Sequence, residues 1–325
     1  MSGIEEQTFC QLDFSKIKNK TGAAETEQVN RPNNRFTAPF GHNPGELSIE
    51  AGRYRLLWSP HCPWAHRSVI VRKLLGLEDV ISLGTVNPIR SEQGWEFSLD
   101  DAGVDPVLGI RYLSEAYFHS DPEYSGRASV PAVADIQTKK VVYNDYLTLT
   151  NIFETAWAPF HKKGAPDLYP EHLRKDIDEL NDVIYHDINK GVYKCGSADS
   201  QEDYEKAYDA LFARLDELEQ RLASQRYLFG DFISDSDVRL YVSLARFDVI
   251  YYTEYKANRN RLIDFPNLWG YARDLYQTPG FGDTTDFEAM KKAQYASGNN
   301  PLNIIPKGPD LSGWSTPHHR ERLSK

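Results

Sequence analysis

The stretch of this chain best equipped for chemistry is Ser59-Pro60-His61-Cys62-Pro63-Trp64-Ala65-His66. Pro63 suits the first turn of a helix, and the pattern predicts one from Cys62 to Leu77, with Gly76 near its end. A cysteine at that first turn faces the partial positive charge of unpaired backbone N–H groups. Those groups favour the thiolate, which is the nucleophilic form. Two residues past Pro63 stands Ala65, so no second thiol lies in the motif to resolve a disulfide formed at Cys62. An outside thiol has to do it, and the co-substrate expected is a small-molecule thiol. The residues alone leave two other readings open. Cys62 could be a small buried residue, as free cysteines commonly are. It could also join His61 and His66 at zinc, although no second cluster offers the usual paired spacing of ligands.

The elements that must position this motif are legible around it. Tyr54 to Trp58 reads as a buried strand, Cys62 to Leu77 as the helix and Ile81 to Val86 as a second strand, which together make a β-α-β unit. An insertion follows over 87–126, with one short helix near Tyr112 to His119. Ser129-Val130-Pro131 then leads into a strand ending at Asp135, Thr138-Lys139-Lys140 turns the chain, Val141 to Asn144 is the next strand, and Tyr146 to Trp157 a helix. The order β-α-β, insertion, β-β-α is that of a thioredoxin-like domain, spanning 51–160. Residues 1–50 read as an extended N-terminal arm. Beyond a turn-rich linker, 165–325 reads as an all-helical domain with an irregular tail. Its helices are expected over Glu171–Ile188, Gln201–Ala223, Ser234–Tyr255, Pro266–Tyr276 and Asp286–Tyr295, with Ser234 and Asp237 forming a capping box.

Bulk properties narrow the function. The 325 residues are 40% hydrophobic and 26% charged, an ordinary globular balance that permits two domains. A net charge of −10 supplies no broad basic surface for nucleic acid. No apolar run has the length to cross a bilayer, and the first residues lack the order of an export signal. Three cysteines, Cys10, Cys62 and Cys195, make no disulfide framework and fit a reducing cytosol. Neither a glycine-rich phosphate loop nor a paired metal-ligand motif is present, so no metal, flavin or nucleotide is expected.

From about residue 50 to 310 the chain resembles the glutathionyl-hydroquinone reductases, the xi class of glutathione transferases. The segments that carry the likeness are CPWAHR (62–67), Gly94-Trp95, SGRASVP (125–131), DLYP (167–170), INKGVYKCG (188–196), RFDVIYYTEYKAN (246–258), DFPNLWGYARDLYQTPG (264–280) and NPLNIIPKGP (300–309). Their joint order and spacing is what makes the match specific. The resemblance implies that Cys62 attacks the sulfur of a glutathionyl-hydroquinone and that Tyr193 protonates the ring carbon. It further implies that Tyr251 and Tyr295 stand near the thiol and favour its ionised form. Glutathione would be held by the backbone of Val130 before a cis Pro131, by Trp95 and by Arg127. Packing in an aromatic core is the plain alternative for each tyrosine and for Trp95, and a solvated surface position for Arg127. A homodimer is expected by analogy with other transferases of this architecture.

The chain departs from the family at the end of the fourth strand. Asn144-Asp145-Tyr146 stands where Asn-Glu-Ser is usual, and the last two positions hold the γ-glutamyl group there. Asp145 keeps the charge on a shorter arm, and Tyr146 brings a bulky phenol, so a different low-molecular-weight thiol is conceivable. Tyr252-Thr253-Glu254-Tyr255 also replaces histidine-rich sequence. Two rival functions remain: an omega-like thiol transferase or dehydroascorbate reductase, and a non-catalytic transferase-like scaffold. Cys195 near Tyr193 is read as packing and Cys10 as part of the arm.

Overall fold

The computed structural model describes residues 36–296 and 304–324, so Cys10 lies outside the described residues. A short parallel pair, β1 (Phe40–Gly41) and β2 (Leu47–Ser48), precedes the main sheet. That sheet is built from β3 (Tyr54–Trp58), β4 (Ile81–Thr85), β5 (Ala132–Asp135) and β6 (Lys140–Tyr143), in the order β4-β3-β5-β6. β3 runs parallel to β4 and antiparallel to β5, and β6 returns antiparallel beside β5. This is the sheet of the expected thioredoxin-like domain. Every residue of β3 is buried, because the sheet is covered on both faces.

Helix α1 (Pro63–Leu74) crosses from β3 to β4. It closes at Gly76, whose φ of +74° and whose missing Cβ are both required, since a Cβ would lie 2.6 Å from the Lys162 side chain. The insertion carries α2 (Leu113–Ser120) and is tied to the sheet by a buried ion pair of 2.7 Å between Arg55 and Asp105. α3 (Leu149–Thr155) completes the domain.

The described part of the segment expected as an extended arm is docked on the sheet. Thr37 bridges to Tyr143 on the edge of β6, and the backbones of Phe36 and Asn144 are bonded at 2.9 Å. The Phe40 ring packs edge-on against Tyr54 and Trp157. An apolar side chain with a core position available buries there even when its own segment has no periodic pattern.

The helical region holds α4 (Arg174–Val183), α5 (Gly191–Gly196), α6 (Gln201–Arg221), α7 (Asp235–Arg246), the single turn α8 (Tyr252–Glu254), α9 (Pro266–Gln277) and α10 (Phe287–Tyr295). Two helices expected to run unbroken are not regular to their ends. α4 passes into a π turn over Ile184–Asn189, and α7 into another over Phe247–Tyr251. The expected capping box forms with one change: the Asp237 carboxylate accepts from both the Ser234 N–H and its hydroxyl, and also from Leu228 N–H and Tyr271 OH. The tail is irregular as expected, but it is docked: Trp314 is buried edge-on against Trp269, and the Arg320 guanidinium caps carbonyls of Leu222, Gln225 and Arg226 beyond the end of α6.

The two regions are joined at α7. Arg239 donates to Leu147 O, Thr150 Oγ1 and Asn151 Oδ1 across the seam, and to Asp235 on its own helix. No helix among the described residues is long and apolar enough to cross a membrane.

Candidate active site

Cys62 is the N-cap residue of α1, with extended backbone (φ −75°, ψ 114°) and Pro63 at the first helical position. The proline has no N–H to leave unsatisfied, so the first turn forms at no hydrogen-bond cost and points its remaining N–H groups toward the cysteine. The Cys62 N–H is held by Ser59 O at 3.0 Å, which fixes the turn that presents the sulfur. Sγ lies 3.7 Å from Val130 O. The Val130–Pro131 bond is cis, as expected, and this places the Val130 backbone across from the thiol. Cys62 is 8% exposed, a shielded thiol at the seam between the two regions.

The surroundings of that thiol are aromatic and cationic. Tyr193, from α5, stacks on Trp64 with ring centroids 6.2 Å apart and planes 26° apart, and its hydroxyl lies 3.4 Å from that of Tyr251. Tyr251 is brought there by the π turn that ends α7, and it stacks on Tyr255 at 5.4 Å. A π turn inserts one residue into the helical repeat and re-aims the side chains after it, which is why such turns recur at functional sites. Behind the cysteine lies Arg246, 1% exposed, whose guanidinium donates to Pro60 O, His61 O and Val242 O. Burial lowers the pKa of Arg246, opposed by the negative forms of Tyr251, Tyr193 and Cys62. By reciprocity the cation favours ionisation of those three groups.

Trp95 packs its ring 5.2 Å from that of His61 and lies beneath the Arg90 guanidinium at 4.1 Å. It is 2% exposed, and its indole N–H has no acceptor among the described residues. A buried orphan donor costs about 1–3 kcal/mol, so this N–H is a standing invitation to a ligand acceptor beside the cysteine turn. Arg127 is half-buried on the loop leading to Val130, with its carbonyl accepting from Tyr124 OH.

Three further expected site residues have partners of their own within the chain. The Tyr295 hydroxyl bonds Thr253 Oγ1 at 2.9 Å and Val249 O at 3.4 Å, around the turn that carries Tyr251 rather than to Tyr193. Burial raises its pKa, which keeps it a neutral donor. The Asp145 carboxylate accepts from Leu147 N–H and Thr148 OH, bracing the entry to α3. Tyr146 turns toward the helical region, where its hydroxyl meets Tyr185 OH at 2.9 Å and its ring lies 5.3 Å from Trp64.

His66 is held between Arg246 and Thr284. Its Nδ1 accepts from Arg246 at 3.3 Å, so Nε2 carries the proton toward Thr284 Oγ1 at 3.0 Å. Burial and the charge of Arg246 push its pKa well down. Among the described residues no group of three or more His, Cys, Asp or Glu could hold a metal ion. Cys195 is fully buried and its thiol is pushed up to about 11 by burial, the opposite of an activated nucleophile.

Arg246, Trp64 and Tyr255 were not among the residues expected to do chemistry. No local signal marked Arg246: its helix already carries Asp235, Asp237 and Arg239, and a cation at the helix end reads as solvated.

A thioredoxin-like sheet with a lone helix-capping cysteine, a cis proline opposite it and an all-helical second region define the glutathione-transferase architecture. The family model described as the glutathione S-transferase C-terminal domain matches residues 201–274. The glutathionyl-hydroquinone reductase YqjG of Escherichia coli is 41% identical over 288 residues, 87% of each chain. Its glutathione-bound structure aligns with a TM-score of 0.81, covering 88% of this chain and 96% of that one. A glutathione transferase from Gordonia bronchialis is 55% identical with a TM-score of 0.83, covering 85% of this chain and 86% of that one. A xi-class transferase from Natrialba magadii is 37% identical with a TM-score of 0.84, covering 90% and 92%. The chain belongs to the glutathionyl-hydroquinone reductase family, the xi class of glutathione transferases.

Proposed function

We propose that the protein reductively removes glutathione from glutathionyl-hydroquinones, with Cys62 as nucleophile, Tyr193 as proton donor and a second glutathione as reductant. The Cys62 thiolate attacks the substrate sulfur, forming a Cys62–glutathione disulfide. The carbon–sulfur bonding pair stays on the ring carbon, which takes a proton from Tyr193 and leaves as the hydroquinone. A glutathione thiolate then attacks the mixed disulfide, giving oxidised glutathione and restoring the Cys62 thiolate. The ring is reduced by the two electrons that the two glutathione sulfurs lose.

What supports this reading most is that Cys62, at a helix N-terminus, and the paired hydroxyls of Tyr193 and Tyr251 all act electrostatically on one buried cation, Arg246. An acid and a soft nucleophile on one site are what reductive carbon–sulfur cleavage needs. The Val130 backbone and the orphaned Trp95 N–H supply polar contacts suited to a peptide ligand. With Tyr146 turned to the helical region, its phenol need not crowd the γ-glutamyl position, so glutathione is the thiol proposed. Pairing into a homodimer in the cytosol completes the reading.

Chromatography of a reaction between the protein, a glutathionyl-hydroquinone and glutathione tests it. The expected outcome is hydroquinone and oxidised glutathione in equal amounts. Rapid reduction of glutathione mixed disulfides or dehydroascorbate, with the hydroquinone conjugate left intact, would overturn it in favour of an omega-like transferase.

A further inference from the structure

We propose that Arg246 is the positioning residue of the nucleophile: its guanidinium holds the turn that presents Cys62 and sets an uncompensated positive charge behind the sulfur. This rests on Cys62 being the reacting thiol.

The geometry is that of a clamp. Arg246 is the last residue of α7, in the helical region, yet three of its bonds cross to the thioredoxin-like region, to Pro60 O, His61 O and His66 Nδ1. Nε donates to His61 O at 3.0 Å and Nη2 to Pro60 O at 3.1 Å. Those carbonyls belong to the two residues immediately before Cys62, so the fork fixes the loop that leads into the nucleophile. Nη1 is anchored by Val242 O at 2.8 Å, one helical turn back, and by His66 Nδ1 at 3.3 Å. All of these partners are neutral: three carbonyls and an imidazole whose protonation is suppressed by burial and by the arginine itself. No ion pair links Arg246 to a carboxylate among the described residues.

A buried guanidinium without a counter-ion is expensive to keep. Besides His66 on α1, the titratable groups that act on it most become negative on losing a proton: Cys62 at the start of α1, Tyr193 on α5, Tyr251 on the π turn and Tyr241 on α7. Cys62 is the group among these that ordinarily ionises nearest neutrality. The missing counter-ion is therefore the thiolate, supplied when the enzyme is ready to react. His66 has a supporting part: by accepting on Nδ1 it holds the guanidinium plane, and its Nε2–H is fixed in turn by Thr284. A lysine could keep the charge but could not reach four acceptors in one plane.

The test measures the pH dependence of Cys62 alkylation by iodoacetamide, located by peptide mass spectrometry, for the full chain and two variants. Arg246→Gln keeps donors but removes the charge; Arg246→Lys keeps the charge but loses the fork. Arg246→Gln is expected to move the alkylation midpoint up by about one to three pH units, the range over which a nearby opposite charge acts. Arg246→Lys is expected to leave the midpoint near that of the unaltered protein while lowering turnover, because the loop is less well held. An Arg246→Gln profile that overlays the unaltered protein's, with near-ultraviolet dichroism unchanged, overturns the proposal. Should Arg246→Gln fail to fold, Arg246→Lys decides: a midpoint raised by a full unit overturns it, and an unmoved midpoint supports it. Alkylation needs no conjugate, so failure of the unaltered protein to turn over glutathionyl-hydroquinones would strike the proposed function and leave this result standing.

Discussion

Replacing Tyr193 by phenylalanine separates the two half-reactions. The substitution removes one oxygen and keeps the ring, so the contacts with Trp64, Tyr251 and Tyr255 survive. The hydroxyl's bond to Tyr251 is long, 3.4 Å, and a neutral hydrogen bond contributes about 0.5–1.5 kcal/mol, so stability should fall by no more than the lower part of that range. A general acid is worth roughly 10²- to 10⁴-fold in rate. At about 1.36 kcal/mol per decade this is roughly 3–5 kcal/mol on the barrier, several times the ground-state cost. Single-turnover mixing with a glutathionyl-hydroquinone should show release of the hydroquinone slowed by two to four orders of magnitude, on the order of the general-acid contribution. Resolution of a Cys62–glutathione disulfide, prepared beforehand with oxidised glutathione, transfers no proton to carbon and should keep its rate in Tyr193→Phe. Equal slowing of both steps would refute the assignment, because it would mean that the ring, not the proton, was the contribution.

The seam between the two regions yields further expectations. Arg239→Met strands Asp235 and cuts the bonds to α3, and losing one partner of a buried pair costs about 3–5 kcal/mol; urea unfolding that shows less than about 1 kcal/mol would contradict this. Glu154 is half-buried overall, but its Oε1 is shut from solvent, and burial together with the charge of Asp235 raises its pKa well above the ordinary value. A carboxyl raised in the folded state binds more protons there than in the unfolded chain, so its contribution to stability falls as pH rises above the unfolded value. Glu154→Gln should therefore unfold at higher urea than the parent at neutral pH, with the gain shrinking as pH falls toward about 4.3, the unperturbed glutamate value, and a constant gain would count against it. Cys195→Ala should leave turnover unchanged, since that thiol is pushed up to about 11, and alkylation of residue 195 in the folded protein at neutral pH would be the contrary result.

Much of this molecule was legible in its residues because the signals were local. Tyr54 to Trp58 is an apolar run between turn residues, Pro63 marks a helix start, and Val130-Pro131 marks the entry to a strand; each stands where it was expected. What could not be read depends on distant partners. The π turns over Ile184–Asn189 and Phe247–Tyr251 keep the apolar spacing of ordinary helices. The first is stabilised by Asn189, whose amide reaches Arg239 O and Ser243 Oγ on α7. A cation on a helix is normally solvated, so Arg246 gave no sign that it would be buried against a loop 185 residues away in sequence. The docking of Phe40 and the direction of Tyr146 were likewise decided by cavities and hydroxyls supplied from elsewhere in the chain.

Peptide mass spectrometry of the protein after brief exposure to a glutathionyl-hydroquinone, with free glutathione withheld, puts the nucleophile directly to the test. A single glutathione held in disulfide linkage on the peptide bearing Cys62, lost again on adding glutathione, is the outcome predicted. Hydroquinone release with Cys62 unmodified, or undiminished turnover by Cys62→Ala, would contradict it.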